Sequence, residues 1–172
     1  MLQLCCTKKA MAQFGISEAS LCEPDQSDGA LGNWYVNIFT VTRSKCVLFM
    51  SERTLLSFLL FGLRRDNSKN IAQMFLNGML QLLEAEGFTA PQIDACLGND
   101  RLLTVTRTTN KKALGAMNDL MRVYEQKIWS QGGFRTCDLS GIISSTNRMP
   151  QRTIGWGFSI ELARELANEK SA

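Results

Sequence analysis

The stretch "WYVNIFTVTRSKCVLFMSERTLLSFLLF", Trp34–Phe61, decides the fold class. "WYVNIFTV" alternates apolar and polar residues in part, "TRSK" supplies turn chemistry, "CVLFM" is a short fully apolar run, and "SERT" turns the chain again before "LLSFLLF". Apolar runs of this length, punctuated by polar turn clusters, predict a strand meander and hence a small, largely antiparallel sheet. The last run also fits a helix capped by Ser51, because periodicity does not separate the two over so few residues. The strand is the preferred reading.

On the N-terminal side, "LQLCC" (2–6) predicts a short buried strand, Thr7 caps a helix running through Phe14, and Gly15 ends it. Residues 24–32, "PDQSDGALG", are polar and turn-rich and read as a surface loop. On the C-terminal side, Ser68 to Glu86 predicts an amphipathic helix with Ile71, Phe75, Met79 and Leu82 on one face. Thr89 with Gln92 forms a capping box for a short helix from Ala90 to Leu97, stopped by Gly98. "RLLTVT", Arg101–Thr106, is a further strand candidate. Leu114, Met117, Met121, Tyr124 and Ile128 then follow helical spacing, so a second main helix runs from Asn110 to Trp129, with Thr108, Thr109 or Asn110 as its cap. Beyond Gly132-Gly133 the chain reads as loop-rich, with "STNRMPQRTIGWGF" at 145–158. It ends in a helix capped by Ser159, with Leu162 and Leu166 facing inward. The predicted fold is a single α+β domain over residues 1–172, a small mostly antiparallel sheet packed by two main amphipathic helices.

Composition excludes more than it assigns. The chain has 172 residues, 45% of them hydrophobic, enough for a real core. Its 19 Lys+Arg against 16 Asp+Glu leave a formal +3, far from the dense basic character of a dedicated nucleic-acid binder, so nucleic acid would need a local basic patch. Histidine is absent, which removes Ser-His-Asp and Cys-His catalysis, histidine-ligated zinc and histidine bases from this chain. Six cysteines carry no C-x-x-C pair and follow no apolar leader, so reduced thiols, no metal and a cytoplasmic setting are expected. Vicinal Cys5 and Cys6 would point to opposite faces of a strand. The longest apolar run, Leu55 to Leu63, is too short to cross a bilayer. No phosphate loop, calcium loop or nucleophile elbow occurs, and no cofactor is implied.

Two polar segments stand out. Asn110-Lys111-Lys112 opens the second main helix. Cations in a first turn oppose the macrodipole, and lysines beside free backbone N–H groups suit an anion, although an ordinary cap on a solvated helix explains the same residues. Asn147, Arg148 and Arg152 surround Pro150, with Trp156 between two glycines. A guanidinium-rich loop of this kind suits phosphate, carboxylate or a stacked base. Equally, Arg148 ties the loop to a carboxylate while Trp156 closes the core.

Three segments in order, "LGNWYVNIFTVTRSKCVLFMSERTLLSFL", "TNKKALGAMNDL" and "NRMPQRTIGWGF", resemble a family of small bacterial proteins, domain of unknown function 6933. The resemblance covers nearly the whole chain and implies no reaction. Asn33 and Lys111 stand where the family often has Asp. Carried over residue by residue, it marks Trp34, Tyr35, Asn37, Asn110, Asn118, Asp119, Asn147 and Arg148. Asn118 and Asp119 lie mid-helix, where both are mediocre helix formers, which predicts tertiary hydrogen bonds. The expected function is a non-catalytic binding module engaging a protein or an anionic ligand through Asn110, Lys111, Asn118, Asp119, Asn147 and Arg148. The alternative is an enzyme acting on nucleic acid or another phosphorylated substrate.

Overall fold

A computed structural model describes residues 1–64, 70–98 and 102–172. Its five-stranded sheet has the order β4-β3-β2-β1-β5, built from β1 (Leu2–Cys6), β2 (Trp34–Val41), β3 (Ser44–Ser51), β4 (Ser57–Phe61) and β5 (Leu103–Arg107). The meander β2-β3-β4 is antiparallel as expected, and the run "LLSFLLF" is a strand over Ser57–Phe61, its first residue Leu55 left-handed at φ 58° in the turn before it. Its first hairpin turns through Thr42 and Arg43, both left-handed at φ 46° and 68°, which matches the twist of the flanking strands.

The sheet as a whole is mixed, which corrects the largely antiparallel expectation. β1 runs parallel to both β2 and β5. The reason is connection length. Residues 7–33 carry helix α1 (Lys8–Phe14) between β1 and β2, and residues 62–102 carry α2 (Ile71–Ala85) and α3 (Ala90–Leu97) between β4 and β5. Crossovers of that size return the chain in its original direction, whereas the tight hairpins reverse it.

Six helices, not two main ones, accompany the sheet among the described residues: α1 to α3, α4 (Lys111–Ser130), α5 (Leu139–Asn147) and α6 (Ser159–Ser171). Strand alternation divides the core between two faces. One face buries Leu2, Leu4, Trp34, Val36, Phe49 and Phe58 beneath α1, α2, α3 and α6. At its centre Phe75 of α2 meets Trp34 edge-on at 5.1 Å and lies 5.5 Å from the Phe49 ring. The other face buries Cys5, Tyr35, Leu48, Met50 and Leu59 beneath α4 and α5.

Several caps match the sequence: Thr7 on α1 with Gly15 left-handed behind it, the Thr89/Gln92 box on α3, and Asn110 on α4. α2 is capped by Asn70, and its expected start at Ser68 lies outside the described residues, as does Arg101 at the expected start of β5. The segment read as loop contains α5, capped by Asp138, and a two-stranded ribbon, β6 (Pro150–Gln151) with β7 (Gly157–Phe158). Ser159 is the first residue of α6, not its cap, and the residues this helix buries beyond it are Ile160, Ala163 and Ala167, with Leu166 packed at the margin. All six cysteines are free thiols, four of them buried. No described helix is long and apolar enough to cross a membrane.

Candidate functional site

One strip of the α4 face is polar. Parallel pairing sets Thr106, Cys5 and Tyr35 in a cross-strand row on β5, β1 and β2, with Gln3 and Thr104 as the row beside it. Helix α4 packs against Cys5 and Tyr35, and the loop at 22–28 covers the Gln3 side of the strip, fastened by Gln3, which is 1% exposed. Its amide donates to the Glu23 carbonyl at 3.1 Å and accepts from the Asp25 N–H at 2.9 Å. Asn33 braces the same loop, accepting from the Ser27 N–H and donating to the Asp25 carbonyl, both at 2.8 Å. The loop also supplies the Cys22 N–H to the Val105 carbonyl at 2.8 Å, closing the outer edge of β5.

The result is a cavity of about 330 Å³ floored by Gln3, Cys5, Tyr35 and Thr106 and walled by Asp25, Asn33, Glu52 and Thr109. A second cavity of about 440 Å³ adjoins it, sharing Gln26, Asn33 and Glu52 and adding Arg53. Both volumes fall in the range of small-molecule sites. Thr106 is 2% exposed and no hydrogen bond within the described residues engages its hydroxyl. The hydroxyl is not sealed from solvent, unlike Trp34 Nε1 and Ser159 Oγ, the buried side-chain polar atoms without a partner among the described residues; it opens into the cavity, where it is free to accept and to donate.

Asn110 joins this cavity to α4. Its backbone N–H donates to the Tyr35 hydroxyl at 3.1 Å and its side-chain amide donates to Glu52 Oε1 at 2.9 Å. Its Oδ1 accepts from the N–H groups of Lys112 and Ala113 at 2.9 and 3.2 Å. The N–H groups of Asn110, Lys112 and Ala113 are therefore engaged, and a carboxylate stands beside them, an environment less receptive to an anion than the bare lysines suggested. Lys111 itself is exposed.

The cavity holds no activated nucleophile. Burial, and secondarily the Glu52 charge, push the Cys5 thiol up to about 12, so it is protonated and unreactive at neutral pH. Burial also raises the Tyr35 phenol, opposed by the Asn110 N–H and the Thr109 hydroxyl.

The other expected residues lie elsewhere. Asn118 and Asp119 are exposed on the outer side of α4, and Asp119 meets only Arg122 one turn on, at 3.3 Å. With Met117, Leu120 and Tyr124 turned inward, helical spacing leaves 118 and 119 facing solvent, which corrects the expected tertiary hydrogen bonds. Asn37 is a local brace, its Oδ1 accepting from the Thr7 hydroxyl at 2.8 Å. Trp34 is wholly buried in the opposite core.

Asn147 and Arg148 form a separate structural cluster. Asn147, 1% exposed, grips the outer side of edge strand β4: its Oδ1 accepts from the Ser57 N–H at 2.9 Å and its amide donates to the Ser57 carbonyl at 2.8 Å. It stands in for a neighbouring strand and blunts that end of the sheet. The register Tyr35↔Met50↔Ser57 places β3 between this cluster and the cavity, a separation of roughly 10 Å across two strand spacings. Arg148 pairs both guanidinium nitrogens with Glu86, at 2.9 and 2.5 Å, and also reaches the Ser144 carbonyl. Trp156 does not close the core. It is 66% exposed, with a left-handed backbone at φ 65° between Gly155 and Gly157.

The Arg148–Glu86 pair has a measurable consequence. Glu86 is 5% exposed against 49% for Arg148, and the Arg148 hydrogen bonds lower the Glu86 pKa. A carboxylate whose folded pKa is lowered contributes stability that is complete above its unfolded value, about 4.3, and is lost as pH falls through the folded value. Arg148→Ala should cost about 1–3 kcal/mol at pH 7, kept modest by water around the exposed guanidinium. In a Tm series across pH, the gap between wild type and variant should close below about pH 4. A gap unchanged down to pH 2 would contradict this assignment.

Sequence reading missed Gln3, Cys5, Glu52, Thr106 and Thr109. The usable signal was the period-2 polar positions Gln3, Thr104 and Thr106 between the apolar residues Leu2, Leu4, Leu103 and Val105.

A family described as "Domain of unknown function (DUF6933)" matches residues 3–162. Nothing matches among curated proteins, and nothing among solved structures.

Proposed function

Because the chain belongs to this family of domains of unknown function, which supplies neither reaction nor ligand, we propose its role from the cavity: a single-domain, non-catalytic module that binds a small polar ligand between the 22–28 loop, the Thr106–Cys5–Tyr35 row and the start of α4. The observation that carries this reading is Thr106, 2% exposed, whose hydroxyl is unpartnered within the described residues and open to the floor of a cavity lined by polar groups. Such a group is placed to exchange hydrogen bonds with a water or a ligand in the cavity. The protonated Cys5 thiol and the lack of histidine favour binding over turnover. Free thiols throughout fit a cytoplasmic protein.

The test is a thermal-shift screen of wild type and Thr106→Val against small amines, amides, sugars, carboxylates and nucleotides. At least one compound should raise the wild-type Tm by several degrees and the variant's by much less. Turnover of a phosphorylated substrate, abolished by Arg148→Ala with the fold intact, would overturn the non-catalytic reading.

A further inference from the structure

Resting on that reading of the cavity, we infer that its ligand is a small organic cation, held through an ammonium or guanidinium group by Glu52 and Asp25. Among the described residues these two carboxylates are the only charged groups lining the inner cavity. Neither forms an ion pair among the described residues. Glu52 is part-buried, and of its two oxygens Oε1 takes the Asn110 amide while Oε2 has no partner among the described residues. The nearby cations do not neutralise the pair. Lys111 and Lys112 are exposed and line neither cavity, and Arg53, which lines the adjoining one, donates to the Ala30 carbonyl at 3.1 Å.

The chemistry of the lining selects the class. An ammonium or guanidinium presents several N–H donors and no acceptor; the unpartnered Glu52 oxygen and the Thr106 hydroxyl line one small volume with the exposed Asp25 carboxylate, whose Oδ1 takes the Gln26 N–H at 2.7 Å. A charged donor on a carboxylate in a part-buried site gives the stronger kind of hydrogen bond, whereas an anion would meet two like charges. A metal ion suits the site less well, since no three Cys, Asp or Glu side chains converge as ligands among the described residues. Cavities of about 330 and 440 Å³ match a free small molecule.

Isothermal titration calorimetry with agmatine, glutarate and glucose tests the inference on wild type, Glu52→Gln, Asp25→Asn, Thr106→Val and Glu161→Gln. Gln at 52 can still accept from the Asn110 amide, so the fold should persist. Glu161 lies on α6, on the opposite face of the sheet, and controls for net charge. Agmatine should bind wild type and Glu161→Gln alike and bind Glu52→Gln at least tenfold more weakly, with a smaller loss in Asp25→Asn. Equal binding to Glu52→Gln would overturn the inference. Glutarate or glucose binding that is lost in Thr106→Val, with agmatine inert, would overturn it while leaving the binding-module reading in place. No binding by any probe would count against both.

Discussion

Phe75→Ala is expected to lower stability by about 3–5 kcal/mol. The side chain is fully buried and touches three other rings: Trp34 at 5.1 Å, Phe49 at 5.5 Å and Phe58 at 6.2 Å between centroids. Removing it takes away burial, dispersion contacts and favourable edge geometry together, and the rigid neighbouring rings cannot collapse fully into the space. Urea unfolding should show the midpoint falling with little change in slope. The cavity lies across the sheet from this cluster, so the folded fraction should keep wild-type affinity for any ligand of that cavity. A loss below about 1 kcal/mol would contradict the central position of α2 in the core.

Asn147→Ala should cost about 2–4 kcal/mol, because it leaves the Ser57 N–H unpaired in a buried setting, at roughly 1–3 kcal/mol, and leaves its carbonyl only the longer bond from the Tyr124 hydroxyl at 3.3 Å. For a chain of this size that corresponds to a Tm lower by roughly 5–15 °C. Asn147→Asp separates hydrogen bonding from size. It keeps an acceptor for the Ser57 N–H but turns a carboxylate oxygen toward the Ser57 carbonyl, where the native amide donates at 2.8 Å. It should therefore destabilise at neutral pH at least as much as alanine. An aspartate variant as stable as wild type would contradict the bidentate clamp. Neither variant should alter affinity at the cavity, since β3 lies between the two places.

The local parts of this fold were legible in the sequence. The caps at Thr7, Thr89 and Asn110 and the hairpins of β2-β3-β4 depend on neighbouring residues, and their signals sit within a few positions of one another. What the sequence hid was long-range. Nothing in "LQLCC" states that β1 inserts between β2 and β5, and only that insertion brings Thr106, Cys5 and Tyr35 into one row. α5 was missed because "LSGIISSTN" contains a glycine and three serines, all poor helix formers, held here by packing of Ile142 and by the Asp138 cap.

The candidate residues divided along the same line. Asn110 was found because capping is local, but its ties to Tyr35 and Glu52 span 75 and 58 residues. Asn147 and Arg148 looked like ligands because they are polar beside a proline loop. Their partners, Ser57 and Glu86, lie 90 and 62 residues away and account for both side chains within the fold.

The most direct test of the binding role is a map of backbone amide shifts by NMR, recorded while agmatine, glutarate and glucose are titrated separately into the labelled protein. The predicted result is that at least one probe moves the amides of Gln3, Cys5, Tyr35, Glu52, Thr106 and Thr109 together and saturably, with agmatine doing so most strongly. Shifts confined to Lys111, Lys112 and Arg148, or no saturable shift around Thr106 with any probe, would contradict it.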